Sequence, residues 1–353
     1  MRKLLKILGM LLALIIILVG AYVAYVYLQY HRIADDQKLT VTQASKGSVS
    51  DTKPVTGKIY SITTFNIGYG SYPPDYTFFM DGGKEVRARS KKAVNDAMTE
   101  DLRLLDKINP DFINIQEIDW QGTRSQHVNE PKVFSSHLTQ YNSVLAQNYD
   151  SAWLQYPVLN PIGKAKSGIM TFSKFPIESA RRYSLPIETN FNKFFDLDRA
   201  FSVQRIPMDN GKNFVLYNVH LSAYTKDQSV QKAQLDKLFN SMQKEVDAGN
   251  YVICGGDYNH DLVGRAHNEL TWMKTFPTED LTKGMRVVAP KPDSNAPSVR
   301  SNGVTLDDPK EITGWIDGFL VSENVLDSSV ETVDNGFKSS DHQPVVMKFQ
   351  FKN

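Results

Sequence analysis

Between Ile7 and Tyr30 the chain reads ILGMLLALIIILVGAYVAYVYLQY and carries no formal charge. At roughly 24 residues this run is long enough to cross a bilayer as a helix. Tyr22, Tyr25, Tyr27 and Tyr30 crowd its far end, where aromatic rings favour the membrane interface. A cleaved signal peptide would have a shorter apolar region ending in small residues. Bulky tyrosines fill that zone here, so the run reads as an uncleaved anchor, and no cysteine follows it to take a lipid. Arg2, Lys3 and Lys6 precede the run, while Arg32 is followed by Asp35 and Asp36. The positive-inside rule then keeps the N-terminal tip in the cytoplasm and exports the body, as a single-pass protein of the cell membrane.

Residues 1–30 are therefore expected to be tip and anchor, residues 31–57 a polar linker, and residues 58–353 the folded body. Within the body, 41% hydrophobic and 22% charged residues across the chain indicate a globule rather than a disordered tail. The single cysteine, Cys254, excludes an internal disulfide framework. Four of the 40 basic residues precede position 33, leaving 36 against 39 acids, a net of −3. Such a body lacks the overall basic excess that marks grip on long nucleic acid.

Apolar alternation and β-branched residues predict strands over 58–67, 112–118, 167–173, 213–221, 251–254, 315–322 and 344–351. Helical spacing of Ala88, Val94, Met98, Leu102, Leu105 and Ile108 predicts a helix over 85–108, stopped by Asn109-Pro110. A second helix follows with Val230, Leu235, Leu238, Met242 and Val246 on one side. Residues 281–312, rich in Pro, Asn, Ser and Asp, read as a long surface excursion. Strands outnumber helices and several lie close in sequence, which suggests α+β or a sheet-on-sheet core with helices outside, in one domain.

Polar residues recur where these strands end. Asn66 closes the first, Glu117 lies near the end of the second, and His220 ends YNVHL. Asp257 and Asn259 follow VICGG, Asp317 sits in WIDGF, and Asp341-His342 precede the last strand. Each alone has a plain structural explanation as a cap, an ion pair or a turn residue. Together, in order, TTFNI, NIQEID, YNVHL, GGDYNHD, GWIDGF and SSDHQPV resemble the endonuclease/exonuclease/phosphatase superfamily, the DNase I-like fold. The resemblance covers about residues 58 to 351.

That resemblance implies an α+β fold of two β-sheets packed face to face with helices outside, and a hydrolase acting on phosphoester bonds. It implies Glu117 as a ligand of Mg²⁺ (or Mn²⁺ in its place), with Asn66 and Asp341 beside it. It makes Asp257 and Asn259 the pair that orients the attacking water, His342 a phosphate contact held by Asp317, and His220 a second phosphate contact and general acid. The chemistry suits these residue types. A hard cation held by carboxylate offsets charge on the phosphate, and imidazoles exchange protons near neutral pH.

Second-tier substrate contacts are Arg87 in segment 68–92, Arg124 and His127 in segment 122–130, and His260, which stands outside the usual continuation of GDYN. The tyrosines and phenylalanines of segment 68–92 suit a substrate with an apolar or ring-bearing part. The expected activity is that of a membrane-anchored, extracytoplasmic phosphohydrolase whose partner is a phosphorylated small molecule or a phospholipid. A nuclease on DNA or RNA fits the slightly acidic body less well. An inactive relative serving as a binding module is disfavoured because every matched position is filled. No protein partner is inferred.

Overall fold

The strands are built from β-branched and aromatic residues whose two faces are both covered, one by the opposite sheet and one by helices or loops. In the computed structural model, which describes residues 1–45, 52–223, 227–264 and 273–353, two seven-stranded sheets result. We number in chain order the strands of these sheets. They are β1 (Gln37–Lys38), β2 (Val41–Thr42), β3 (Ile59–Asn66), β4 (Phe112–Asp119), β5 (Asn142–Asp150), β6 (Lys166–Ser173) and β7 (Ser179–Ser184). Then come β8 (Ala200–Pro207), β9 (Asn213–His220), β10 (Tyr251–Asp257), β11 (Met285–Val288), β12 (Asp317–Ser322), β13 (Val325–Thr332) and β14 (Val345–Phe351). The first sheet has the order β1-β7-β8-β9-β10-β12-β11 and the second β13-β14-β3-β4-β6-β5-β2.

Between the sheets the layer changes character along the strands. At one end Tyr60, Phe112, Phe214, Ile253 and Phe349 form an apolar core. At the other the layer is amide-rich. Asn114 Nδ2 donates to the Tyr217 and Gly255 carbonyls, Gln116 Nε2 to Asn218 Oδ1, and Asn218 Nδ2 to the Ile115 and Met170 carbonyls. Buried amides are tolerable only when paired in this way. This paired end lies next to the polar strand termini singled out in the sequence.

Helices cover the outside. The described residues hold four α-helices: α1 (Arg2–Gln29), α2 (Lys91–Ile108), α3 (Glu130–His137) and α4 (Gln228–Asp247). α2 and α3 pack Val94, Met98 and Phe134 on Phe65, Ile113 and Phe172 of the second sheet. α4 sets Leu235, Leu238 and Met242 on Val215, Tyr217 and Cys254 of the first. α2 begins at Lys91 rather than Glu85, because Ser90 caps it with its Oγ accepting from the Ala93 N–H at 3.1 Å. α1 is long and apolar enough to cross a membrane.

Two parts of the chain read as irregular are partly sheet. Within residues 31–57, expected as linker, β1 and β2 pair with β7 and β5 and so close an edge of each sheet. Residues 46–51 of that segment lie outside the described residues. The excursion 281–312 contributes β11, which pairs with β12. Short edge strands need few apolar residues, which is why their sequences look like loop.

Candidate active site

Register places the site. β9 and β10 run parallel with His220 beside Asp257, and β10 and β12 run antiparallel with Asp257 beside Asp317. His220, Asp257 and Asp317 thus occupy one row across three neighbouring strands. Gly256 permits this pairing, since a Cβ there would lie 2.1 Å from the Val219 carbonyl oxygen. From the facing sheet, Asn66 ends β3, and Asp341 and His342 lead into β14. β4 shifts register between Ile115 and Ile118, and Glu117 has φ 55° in that bulge. Bulges and left-handed non-glycine residues re-aim side chains at functional sites at a cost in strain. Tyr69 (φ 54°), Arg199 (φ 40°) and Asn259 (φ 49°), which line the same cleft, share that conformation.

Asp257 is the hub. Its Oδ2 accepts from Asn66 Nδ2 at 2.9 Å and lies 3.5 Å from His220 Nε2 and 3.7 Å from His342 Nε2. Its Oδ1 accepts from the Asn259 backbone N–H at 2.9 Å. Glu117 Oε1 lies 3.7 Å from His220 Nε2. His342 Nδ1 and Asp317 Oδ2 are 2.8 Å apart and both side chains are buried, a carboxylate–imidazole pair that fixes the ring. Asn66 Oδ1 accepts from the Gly68 N–H at 3.0 Å, so the Asn66 amide positions Asp257 as well as facing the acids. Asn259 is held by its Nδ2, which donates to the Leu221 carbonyl at 2.8 Å. Asp341 is held by Asn302 Nδ2 at 2.5 Å and Ser340 Oγ at 3.2 Å.

The electrostatics divide the two histidines. Burial alone would lower the pKa of His342, but Asp317, Asp341 and Asp257 outweigh it and push the ring well above its ordinary value. Burial, then the Arg199 charge, push His220 well below its ordinary value. Both effects disfavour the imidazolium that the expected general acid role would use, and the His220 Nδ1 has no hydrogen-bond partner among the described residues. Burial raises Asp257 to about 6, with His342 opposing and Asp317 adding to the rise. Burial and then Asp341 raise Glu117 to about 8.

Two chambers meet at this cluster. A cavity of about 410 Å³ is lined by His220, Asp257, Asn259 and His342. One of about 230 Å³ is lined by Tyr69, Tyr72, Arg124, Tyr149 and Phe195. Glu117, Arg199, Asn302 and Asp341 line both. Of the second-tier residues, only Arg124 enters. It is paired with Asp119 at 3.0 Å, and its guanidinium lies 3.4 Å from the centroid of the Tyr69 ring. Arg87 turns instead to Asn160 Oδ1 at 2.7 Å. His127 faces the groove between α2 and α3, with its Nδ1 on the Gln121 carbonyl. His260 is a packing residue, its Nδ1 2.6 Å from the Tyr258 carbonyl and its ring against Phe276. Arg199 and Asn302 were not singled out in the sequence, since neither lies in one of the six ordered motifs. The arginine among the acids of FFDLDRA was the one available signal.

Fold and cleft define a two-sheet sandwich with carboxylates and imidazoles gathered at one end of the strands. Residues 63–342 match the endonuclease/exonuclease/phosphatase family, and the chain belongs to it. No curated protein sequence matches the chain. Among solved structures, the endonuclease/exonuclease/phosphatase of Beutenbergia cavernae is similar at 15% identity and TM-score 0.55, covering 84% of this chain and 72% of that one. A family protein from Leptotrichia buccalis is similar at 16% identity and TM-score 0.53, covering 83% of this chain and 100% of that one. The human Nocturnin catalytic domain, solved with a bound sulfate anion, is similar at 16% identity and TM-score 0.52, covering 83% and 95%. At these identities the likeness is one of fold.

Proposed function

We propose that the chain is a membrane-anchored, extracytoplasmic, divalent-metal-dependent phosphohydrolase. The observation that carries this is the convergence on Asp257 of Asn66, His220 and His342 from both sheets, with Glu117 beside His220. Arg2, Lys3 and Lys6 before the span support the exported orientation.

The donor set fits a hard cation, Mg²⁺ or Mn²⁺. Glu117 is driven towards protonation by burial and by the Asp341 charge, and a cation relieves both. Glu117 and Asp341, which line both chambers, would hold it. Asp257, Asp317 and His342 also lie close enough together to bind a metal. The 2.8 Å hydrogen bond inside that trio instead marks it as an acid–base relay. When bound, the cation offsets charge on the phosphate oxygens.

The residues do the rest. At neutral pH Asp257 is ionised, and Asn66 and Asn259 fix its two oxygens, so it takes a proton from the attacking water. The water oxygen bonds to phosphorus as the bond from phosphorus to the leaving oxygen breaks. The His342 imidazolium, held by Asp317, gives its Nε2 proton to the leaving oxygen. The proton on Asp257 is then lost to water and His342 Nε2 is reprotonated from water, Asp257 Oδ2 and His342 Nε2 being 3.7 Å apart and so not hydrogen-bonded. His220, neutral, donates a hydrogen bond to the phosphate rather than a proton. Hydrolysis of bis(p-nitrophenyl) phosphate by the full chain in detergent tests this. Activity lost in Asp257→Asn on this diester, and in His342→Ala on a diester whose leaving group is a poor alkoxide, supports it; either variant at the wild-type rate on those substrates contradicts it.

A further inference from the structure

The end of α1 packs against the segments that wall the aromatic chamber. Helix geometry sets Lys6 and Tyr25 about 29 Å apart along the axis, close to the roughly 30 Å thickness of a bilayer's hydrocarbon core. Tyr25 then stands at the interface, and what it touches stands there too. Tyr25 Oη accepts from the Trp153 N–H at 3.2 Å, and Tyr22 Oη donates to the Trp153 carbonyl at 3.1 Å and accepts from the Gln155 N–H at 2.8 Å. Tyr27 packs edge-on to Phe194 with ring centroids 4.6 Å apart, and Arg32 pairs with Asp198 at 2.8 Å. Phe195 joins the cluster around Val26 and also lines the aromatic chamber. Leu154, next to Trp153, lines it as well.

The surface around these contacts is apolar. Val158 is 69% exposed and Leu159 98%, on the same loop as Trp153 and Leu154. Phe191 is half-exposed beside Tyr27, and exposed Met80 lines both chambers. Bare aliphatic side chains of this kind, continuous with the end of a spanning helix, call for an apolar partner. The bilayer surface is the one the helix brings there.

We infer that the aromatic chamber opens at the membrane surface and takes the headgroup phosphoester of a membrane lipid, with its acyl chains remaining in the bilayer. This names the substrate class of the site proposed above and rests on that reading. The scissile phosphorus would sit where the chambers meet, at Glu117, Arg199, Asn302 and Asp341. Hydrolysis adds water across one P–O bond: the oxygen goes to phosphorus, and its two protons end on the new phosphate and on the released alcohol.

The test uses the full chain reconstituted in vesicles of phosphatidylcholine, phosphatidylethanolamine, phosphatidylglycerol and phosphatidic acid. Release of headgroup or phosphate is compared with release from the same lipids bearing short, soluble acyl chains, and with hydrolysis of bis(p-nitrophenyl) phosphate. Bilayer lipid should be cleaved at least roughly tenfold faster than its soluble form. The double variant Val158→Asp/Leu159→Asp should lose at least that factor on bilayer lipid while keeping the rate on the nitrophenyl diester. Equal rates on bilayer and soluble lipid, or cleavage of the nitrophenyl diester alone, would overturn the lipid inference and leave the catalytic reading standing. Failure on every substrate would overturn both. Independently of activity, the fluorescence difference between wild type and Trp153→Phe should be quenched by lipids brominated near the headgroup. No quenching of that difference places Trp153 away from the bilayer and refutes the inference.

Discussion

Replacing Asp317 by Asn keeps the volume of the side chain and removes its charge. Asp317 Oδ2 lies 2.8 Å from His342 Nδ1, and both side chains are buried. At an effective dielectric constant of about 20, that separation corresponds to a gross attraction of about 6 kcal/mol, against about 4 kcal/mol from Asp257, 3.7 Å from the other ring nitrogen. Asp317 is thus the larger of these two charges opposing the burial that would otherwise keep the ring neutral. Part of the attraction is cancelled by the cost of desolvating the pair. The functional loss is set by the misheld and less protonated imidazole, about 10² to 10⁴ in kcat. The assay is a pH–rate profile on a phosphodiester. His342 has a raised pKa, so the imidazolium persists through neutral pH in the wild type. Without Asp317 that pKa falls, and the alkaline limb should move to lower pH as kcat drops. A variant within about threefold of wild type, with an unmoved alkaline limb, would falsify the relay.

The acid limb of the same profile should have its midpoint near pH 6, because Asp257 must be ionised to accept a proton and its carboxyl is raised to about 6. A midpoint near pH 4 would mean that another group serves as base. Gly256→Ala should destabilise the fold by at least about 1–3 kcal/mol, read by chemical denaturation, since its Cβ would meet the Val219 carbonyl oxygen at 2.1 Å. Wild-type stability and activity in that variant would contradict the pairing of β9 and β10. Protease added to intact cells should digest the body beyond Tyr30; protection until lysis would refute the exported orientation. On an ester with a very good leaving group, His220→Ala should lose as much as on a poor one, because neutral His220 binds phosphate. Selective rescue by the good leaving group would restore the acid role.

Much of the site was legible because Asn66, Glu117, His220 and Asp257 sit at or near the ends of strands whose apolar pattern is strong. Alternation located β3, β4, β9 and β10 to within a few residues, and the polar residue ending each run marked the place where the sheets converge. Asp317 and His342 were legible as separate residues, while their pairing depends on β12 and the turn before β14 meeting in space. Other strands carried weaker signals: β5 holds Asn142, Gln147, Asn148 and Asp150, and β13 is an edge strand with a largely exposed face. Arg199 and Asn302 reach the cleft from segments without a repeating pattern, so only the fold reveals them. Arg87 and His127 had the right chemistry on nearby segments, but their directions depend on loop paths that residue type does not determine. The opposite protonation of His220 and His342 was also out of reach, because it follows from which charges surround two equally buried rings.

On the function proposed above, Glu117 and Asp341 hold a divalent cation required for cleaving a phosphoester. A Mg²⁺ titration of chelator-stripped full chain, comparing wild type with Glu117→Gln on bis(p-nitrophenyl) phosphate, tests it most directly. The expected result is no turnover without metal, saturable activation of wild type, and a shift of the Glu117→Gln curve to higher Mg²⁺ with partial recovery at saturation. Full activity in the stripped protein, or coincident titration curves for the two proteins, would contradict it.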